Sequence, residues 1–140
     1  MKLLFLIWEL PQVLLGYLVV LFYTVLSKCK KVSYLADKDP LLKRHSFYAV
    51  KSNIFSGACL GSVIILNERY FYNEQYLLTT LKHEGGHGKQ SLMLGPLYLI
   101  VVGIPSFVNN IRSRSNKDIH NIYYERFPEK WADKLGNVKR

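Results

Sequence analysis

Hydrophobic positions along the chain are concentrated in two stretches, and the first is nearly continuous. Residues 3–26 read LLFLIWELPQVLLGYLVVLFYTVL and contain one charged residue, Glu9. A helix of about 20 apolar residues is long enough to cross a bilayer. The apolar core of a cleaved signal peptide is usually about 7–15 residues and precedes a small-residue cleavage site, whereas SKCKKVSY follows here. The pattern therefore predicts an uncleaved transmembrane anchor.

The second stretch, residues 92–108, is apolar but interrupted by Gly95, Pro96, Gly103 and Pro105. These interruptions make a complete span marginal. We expect a re-entrant or interfacial pair of short helices, or a segment of the core packed on the first helix. A polar loop is predicted to follow from residue 109 to about residue 121.

Between the two stretches, the pattern predicts a loop, two strands and a helix. Residues 32–46 contain Asp37, Asp39, Pro40 and a basic pair, which indicate a loop. The runs FYAVKSNIF (47–55) and SVIILN (62–67) follow, the second short and rich in β-branched or aliphatic residues, with glycines in the stretch between them, as expected for a hairpin-like pair of strands. Asn73 is a favourable N-cap, and Gly95-Pro96 is a strong stop signal, so a helix is predicted over residues 74–94. Pro128 and Gly136 bracket a short helix in the tail.

The charge distribution suggests an orientation for the predicted transmembrane anchor. The formal net charge is +9, from 19 basic and 10 acidic residues, and Lys28, Lys30 and Lys31 directly follow the first apolar stretch. An anionic membrane face explains this placement more simply than nucleic acid does, and it predicts a cytoplasmic location for the downstream chain. Glu9 inside the anchor is either a functional group or a residue at headgroup level. The two cysteines do not resemble a disulfide framework or a cysteine-based zinc site.

The chemistry centres on residues 83–87, HEGGH, which have the form H-E-x-x-H. This motif is a signature of zinc metallopeptidases. Residues four apart on a helix share one face, so His83 and His87 can both reach one ion about 2.0–2.1 Å away. Glu84 lies beside them and can take a proton from the attacking water, whose pKa zinc lowers toward about 7. The alternative is a solvent-facing helix that happens to carry two histidines.

Two further features favour the metal site. Gly85 and Gly86 each cost about 1 kcal/mol relative to alanine inside a helix, and they permit close approach of another backbone. Residues 129–133, EKWAD, have the form E-x-x-A-D and offer two carboxylates at positions i and i+4. Catalytic zinc commonly uses two histidines, one glutamate and an open position. Spacing alone does not choose between Glu129 and Asp133 as the third ligand.

The pairing of H-E-x-x-H with E-x-x-A-D resembles the gluzincin clan of metallopeptidases, and in particular its small membrane-bound bacterial or phage members. The resemblance implies that His83, His87 and Glu129 bind zinc and that Glu84 is the general base. The greater length of Glu129 and its place in the first helical turn point the same way. Asp133 then accepts the free N–H of a ligand histidine.

The resemblance also implies a strand upstream of the motif helix that pairs with an extended substrate. This strand would lie within residues 58–67, and Gly61 and Ser62 are candidate substrate contacts. Three further side chains are candidate donors to the oxyanion that forms during hydrolysis: Tyr123, Tyr124 and His120.

Together these observations predict an α+β fold, with a transmembrane anchor and basic flank (1–31) and a minimal zincin-like domain (32–140) that carries a second membrane-associated segment. The predicted function is hydrolysis of peptide bonds by a membrane-anchored, Zn²⁺-dependent metallopeptidase, with its active site on the cytoplasmic side. The predicted partners are a peptide or membrane-protein substrate and membrane lipid, and not nucleic acid. The alternative is a non-catalytic membrane accessory protein with a structural or vestigial zinc site.

Overall fold

A computed structural model describes residues 2–53 and 56–140, so the end of the predicted strand over 47–55 lies outside the described residues. Helices and strands alternate irregularly along the chain. The strands are β1 (Cys29–Lys31), β2 (Ser46–Val50), β3 (Gly57–Leu60) and β4 (Val63–Asn67). The helices are α1 (Lys2–Trp8), α2 (Leu10–Val25), α3 (Glu74–Leu94), α4 (Ile104–Ser115), α5 (Lys117–Asn121) and α6 (Glu129–Gly136).

The described strands form one sheet in the order β1-β2-β4-β3. β2 runs parallel to β4, with Ser46 opposite Val63, and β3 runs antiparallel to β4, with Gly57 opposite Leu66. The predicted hairpin between residues 47–55 and 62–67 is therefore wrong, because the hairpin partner of β4 is the glycine-containing run that precedes it. A parallel pair needs a crossover connection, and here β3 and its flanking loops provide it.

The sheet is covered on both faces, which explains why every residue of β4 is buried. Ile64 and Leu66 point into a cluster completed by Leu77 and Leu81 of α3. Val63 and Ile65 point the other way, where α2 packs with the side chains Val13, Val20 and Tyr23. The sheet thus lies between α2 and α3, and α3 carries the H-E-x-x-H sequence.

The predicted N-terminal transmembrane anchor is wrong. The helix is interrupted at Glu9, two residues before Pro11, so the apolar stretch is divided into α1 with 7 residues and α2 with 16. In residues 2–53 and 56–140, none of the helices combines the length and the apolar character that a membrane crossing requires. The placement of the active site on the cytoplasmic side of a membrane depended on this anchor and is withdrawn with it.

The apolar residues of this segment contribute to the core instead, because one side of α2 packs on the sheet. Val13 and Val20 are buried, and Gly16 lies so close to Val63 that an added Cβ would sit 3.0 Å from the Val63 Cβ. Leu18 and Phe22 on the other side are each 61% exposed. A hydropathy pattern does not distinguish the buried side of the helix from the exposed side, and this is why it predicted a transmembrane helix.

Residues 92–108 do not form a membrane-spanning helix either. They form the end of α3, a 3-10 turn at Gly95–Leu97, a π-helical turn at Leu99–Gly103 and the start of α4. Val102 is fully buried, and Tyr98 is buried with its O–H donated to the Cys59 carbonyl at 2.7 Å. This segment therefore belongs partly to the core, which was one of the expected alternatives.

The region expected to be a polar loop, residues 109–121, is helical instead, in α4 and α5. Asn116 ends α4 and caps α5 by accepting hydrogen bonds from the Asp118 and Ile119 amides at 2.9 and 3.3 Å. Asn109 is buried and donates from Nδ2 to the Phe127 carbonyl at 2.9 Å. The polar composition here reflects an exposed helix surface rather than irregular backbone.

Candidate metal centre

Helix α3 has the predicted limits, and its ends show why. The Asn73 side chain accepts hydrogen bonds from the Gln75 and Tyr76 amides at 3.0 and 3.1 Å, which satisfies two amides of the first turn. At the other end Gly95 adopts φ +53°, a left-handed conformation that favours glycine. The helix therefore presents His83, Glu84 and His87 from a rigid element in the interior of the protein.

A His-His-Glu group stands where α3 meets α6. His83, His87 and Glu129 are all buried, and one ligand atom from each lies within 4.8 Å of the others. Glu129 Oε2 is 3.1 Å from both His83 Nε2 and His87 Nε2. This buried group could hold a metal ion.

The outer nitrogens of both histidines have fixed partners. Asp133 Oδ1 lies 2.7 Å from His83 Nδ1, and Gln90 Oε1 lies 2.7 Å from His87 Nδ1. Gln90 in turn donates from Nε2 to the Pro128 carbonyl at 3.2 Å, which fixes the orientation of its amide. Because both partners are acceptors, each Nδ1 donates a hydrogen bond to its partner, and each Nε2 is directed at the shared site.

Glu129 is held from its other oxygen by a residue that sequence reasoning missed. Ser106 on α4 donates its hydroxyl hydrogen to Glu129 Oε1 at 2.5 Å. Burial opposes ionisation of Glu129, but hydrogen bonds from His83 and His87 outweigh it and lower the pKa of Glu129 well below its usual range. The carboxylate is therefore ionised, as a metal ligand must be.

His83 takes a proton in the absence of a cation. Burial lowers the pKa of His83, but hydrogen bonds to Asp133 and Glu129 outweigh it and raise the pKa to about 9. A metal ion that binds Nε2 must displace this proton, so binding and proton release are coupled.

Two glycines allow α3 and α6 to approach closely enough to bring the ligands together. A Cβ added to Gly86 would overlap the carbonyl of Ala132, and a Cβ added to Gly136 would overlap the carbonyl of Lys82. Both obstacles are backbone atoms of the facing helix rather than flexible side chains. The close backbone approach expected at Gly86 is confirmed.

Glu84 lies beside the triad and is buried. Its Oε2 is buried and has no hydrogen-bond partner among the residues that the structure describes. Burial raises the pKa of Glu84, although the nearby histidines oppose the shift. Gly57 of β3 is so close that a Cβ there would lie 3.0 Å from Glu84 Oε1. An unpartnered buried carboxyl at a cavity wall is suited to proton transfer.

A cavity of about 400 Å³ opens beside His83 and Glu84. Its wall includes all three of the side chains considered as oxyanion donors, Tyr123, Tyr124 and His120. The Tyr124 ring packs edge-on against His83 at 5.3 Å between centroids, and Tyr123 packs on Tyr124 at 4.9 Å. The tail of the chain thus forms one side of the cavity and β3 forms another.

Gly61 and Ser62 do not join this cavity. Gly61 is in the turn between β3 and β4 with φ +63°, against Val13 and Gln12 of α2. The Ser62 carbonyl accepts from the Ser46 amide at 2.8 Å. The structure places Gly57, at the other end of β3, on the cavity wall instead. Sequence alone did not reveal which end of this strand faces α3.

No protein-family model, curated protein or solved structure matches the chain.

We expect Asp133→Asn to weaken zinc binding about 10- to 100-fold, because the neutral amide oxygen of asparagine accepts a weaker hydrogen bond from His83 than the carboxylate does and holds that ring less firmly. Glu129→Gln should weaken binding more, because it removes the anionic member of the triad. Competition titration with a chromogenic chelator measures both. Asp118→Asn, on the exposed helix α5, is the matched control and should bind zinc as the parent does. The ligand assignment is reversed if Asp133→Asn empties the site while Glu129→Gln leaves it filled.

Proposed function

We propose that this protein is a zinc-dependent metallopeptidase of the gluzincin type, with His83, His87 and Glu129 as zinc ligands and Glu84 as general base. The observation that carries the proposal is the meeting of three buried ligand atoms within 4.8 Å beside the buried Glu84 carboxyl, whose Oε2 has no hydrogen-bond partner among the described residues. Taken alone, the His-His-Glu group could be a purely structural cluster of ion pairs. Such a cluster would not need the buried Glu84 carboxyl beside it.

The donor set fits zinc. Two imidazole nitrogens and one carboxylate form a common catalytic zinc environment, and the outer partners Asp133 and Gln90 keep both Nε2 atoms available. A bound zinc ion supplies Lewis acidity, which makes water more acidic and polarises a carbonyl oxygen.

The residues of the chain supply the remaining chemistry. Glu84 takes a proton from the attacking water and passes it to the leaving amine nitrogen when the peptide bond breaks. Burial raises the pKa of Tyr124 to about 12 and raises the pKa of Tyr123 far above its usual range. Both phenols stay protonated at neutral pH, so either can donate a hydrogen bond to the oxyanion.

The edge of β3 offers a short place for a substrate main chain. Asn67 donates its amide hydrogen to the Ser56 carbonyl at 2.8 Å, so residue 56 forms a hydrogen-bonded pair with β4. Backbone groups alternate in direction along an antiparallel strand, so the N–H and C=O of Gly57 and Cys59 point outward. Gly57 lines the cavity, and pairing there would position the scissile bond near Glu84.

Metal removal is the primary test. We expect the purified protein to bind one zinc ion and to hydrolyse peptides from a mixed-sequence fluorogenic library. A chelator should abolish hydrolysis, and stoichiometric zinc should restore it. His87→Ala should bind no zinc, whereas His120→Ala should bind zinc normally, because His120 is exposed and lies outside the triad.

Two outcomes would contradict the proposal in different ways. Zinc binding equal in the parent and in His87→Ala would refute the metal centre. Zinc bound through the triad, with no hydrolysis of any library member, would instead identify a non-catalytic zinc site.

A further inference from the structure

The cavity beside the triad has an unbalanced charge. Three arginines line it, Arg69, Arg114 and Arg140, and Glu84 is the only acidic side chain among the described residues of its wall. Glu84 faces the triad and is assigned to proton transfer. Arg140 is paired with Asp133, so the positive charge that a substrate meets in this cavity comes chiefly from Arg69 and Arg114.

The three arginines differ in how far they are already engaged. Arg140 donates from Nε to Asp133 Oδ2 at 2.7 Å and lies 3.3 Å over the Tyr124 ring, so it is part of the support for His83. Arg69 donates to the Ser56 hydroxyl at 2.9 Å, which leaves most of its donors unused.

Arg114 is the least engaged of the three. It is exposed near the end of α4, and among the described residues it has neither an ion pair nor a side-chain hydrogen bond. A guanidinium with five free donors is well matched to a carboxylate, which it binds through two parallel hydrogen bonds.

The strand edge cannot supply much recognition on its own. Of the outward groups of β3, the Cys59 carbonyl already accepts the Tyr98 hydroxyl hydrogen at 2.7 Å. The N–H and C=O of Gly57 are the main-chain pair that remains beside the cavity. A substrate held by so short a pairing needs side-chain contacts, and the arginines are the charged groups in reach.

We infer that this cavity selects peptide substrates by a carboxylate, which binds Arg114 with help from Arg69. The inference rests on the proposed peptidase function and adds the substrate class to it. The carboxylate is either an acidic side chain near the scissile bond or the carboxyl terminus of the peptide, and the same donors recognise both.

The test uses two matched variants of one helix. Arg114 lines the cavity, whereas Arg112 is exposed on α4 and lies outside the cavity wall. Arg114→Glu and Arg112→Glu change the net charge equally, so any difference between them excludes a general electrostatic effect. Each is compared with the parent on peptides that differ only in Glu against Gln, or only in a free against an amidated carboxyl terminus.

We expect the parent to prefer one carboxylate-bearing peptide roughly tenfold or more in kcat/KM, mainly through KM, because a charge-assisted hydrogen bond holds substrate and transition state alike. The pair of peptides that shows this preference, Glu against Gln or free against amidated terminus, identifies the carboxylate as a side chain or as the carboxyl terminus. Arg114→Glu should abolish or reverse the preference, whereas Arg112→Glu should retain it. Zinc content should be the same in all three proteins.

Binding measurements keep this inference separate from the peptidase proposal. Zinc-loaded Glu84→Gln protein, with and without Arg114→Glu, is titrated calorimetrically with the same peptides. If the parent turns over peptides without a carboxylate preference, or if both arginine variants behave alike, the inference is wrong and the peptidase function stands. If no peptide is hydrolysed, the peptidase proposal fails, and equal binding of carboxylate and amide peptides would overturn the carboxylate site as well.

Discussion

Glu84→Gln is expected to lower kcat for peptide hydrolysis by about 10²- to 10⁴-fold, which is the usual contribution of a positioned general base. Glutamine keeps the shape of the side chain but cannot accept the proton of the attacking water. Zinc content should not change, because Glu84 is outside the group of three ligand atoms. The measurement pairs single-substrate kinetics with metal analysis of the same preparation.

The control for this variant lies on the same helix. Glu74→Gln alters a carboxylate that is 75% exposed in the first turn of α3 and pairs with Lys38 at 2.9 Å. Its kcat should remain within about twofold of the parent, because an exposed ion pair contributes little to stability. Turnover by Glu84→Gln at the rate of Glu74→Gln would remove Glu84 from the mechanism.

Gly86→Ala is expected to lower the free energy of unfolding by about 1–3 kcal/mol, the range for inserting a group into a packed interior. Alanine is the better helix former by about 1 kcal/mol, so propensity alone predicts a gain in stability. The loss arises because the new methyl group overlaps the Ala132 carbonyl and pushes α6 away from α3. Glu129 moves with α6, so zinc binding should weaken in parallel. Urea unfolding of the metal-free protein and a zinc titration measure the two effects.

Gly103→Ala is the matched control, since a Cβ there would lie 3.6 Å from the Leu99 Cδ2 atom, an ordinary contact distance. It should leave stability unchanged or increase it, with zinc binding unaltered. A Gly86→Ala protein as stable as Gly103→Ala, with full zinc affinity, would show that the two helices do not need the close contact.

The sequence predicted those elements whose signals are local. Helix α3 begins at the residue after Asn73 and ends at the residue before Gly95, because a cap and a glycine with positive φ act within one turn. The tail helix α6 follows Pro128 and ends with Gly136 for similar reasons. Two residues four apart on such a helix share a face wherever the helix is placed, so the convergence of His83 and His87 needed no tertiary information.

Elements that depend on long-range packing were not predicted correctly. Whether the apolar stretch before residue 26 spans a membrane depends on the interruption at Glu9 and on the sheet that α2 covers. Neither is visible in a hydropathy pattern. Glu9 is only 2% exposed and accepts two hydrogen bonds from Arg44, at 2.6 and 3.1 Å. The burial of Glu9 is thus explained by Arg44, a partner 35 residues away that the sequence pattern does not reveal.

The same distinction holds for the candidate site. The motif residues were found because their spacing carries the chemistry, whereas Ser106 and Arg140 were missed. Ser106 lies within an apolar stretch, 23 residues before the carboxylate that it contacts, and no local pattern marks it. Arg140 appeared to be one more basic residue of the tail, although it contacts both Asp133 and Tyr124.

The sequence contains two tryptophans, and the fold puts one at the C-terminal end of α3 and the other on α6, which packs against α3. The Trp8 ring covers Gly95, and its indole N–H donates to the Leu92 carbonyl at 2.9 Å. Trp131 belongs to α6 and stacks on Phe127 at 6.2 Å between centroids. The protein therefore contains two intrinsic fluorophores in separate structural contexts. With Trp131 replaced by phenylalanine, emission reports the docking of the N-terminal helices; with Trp8 replaced, it reports the closure of α6 over the histidines. The order in which these two events occur during folding can be followed without adding an external label.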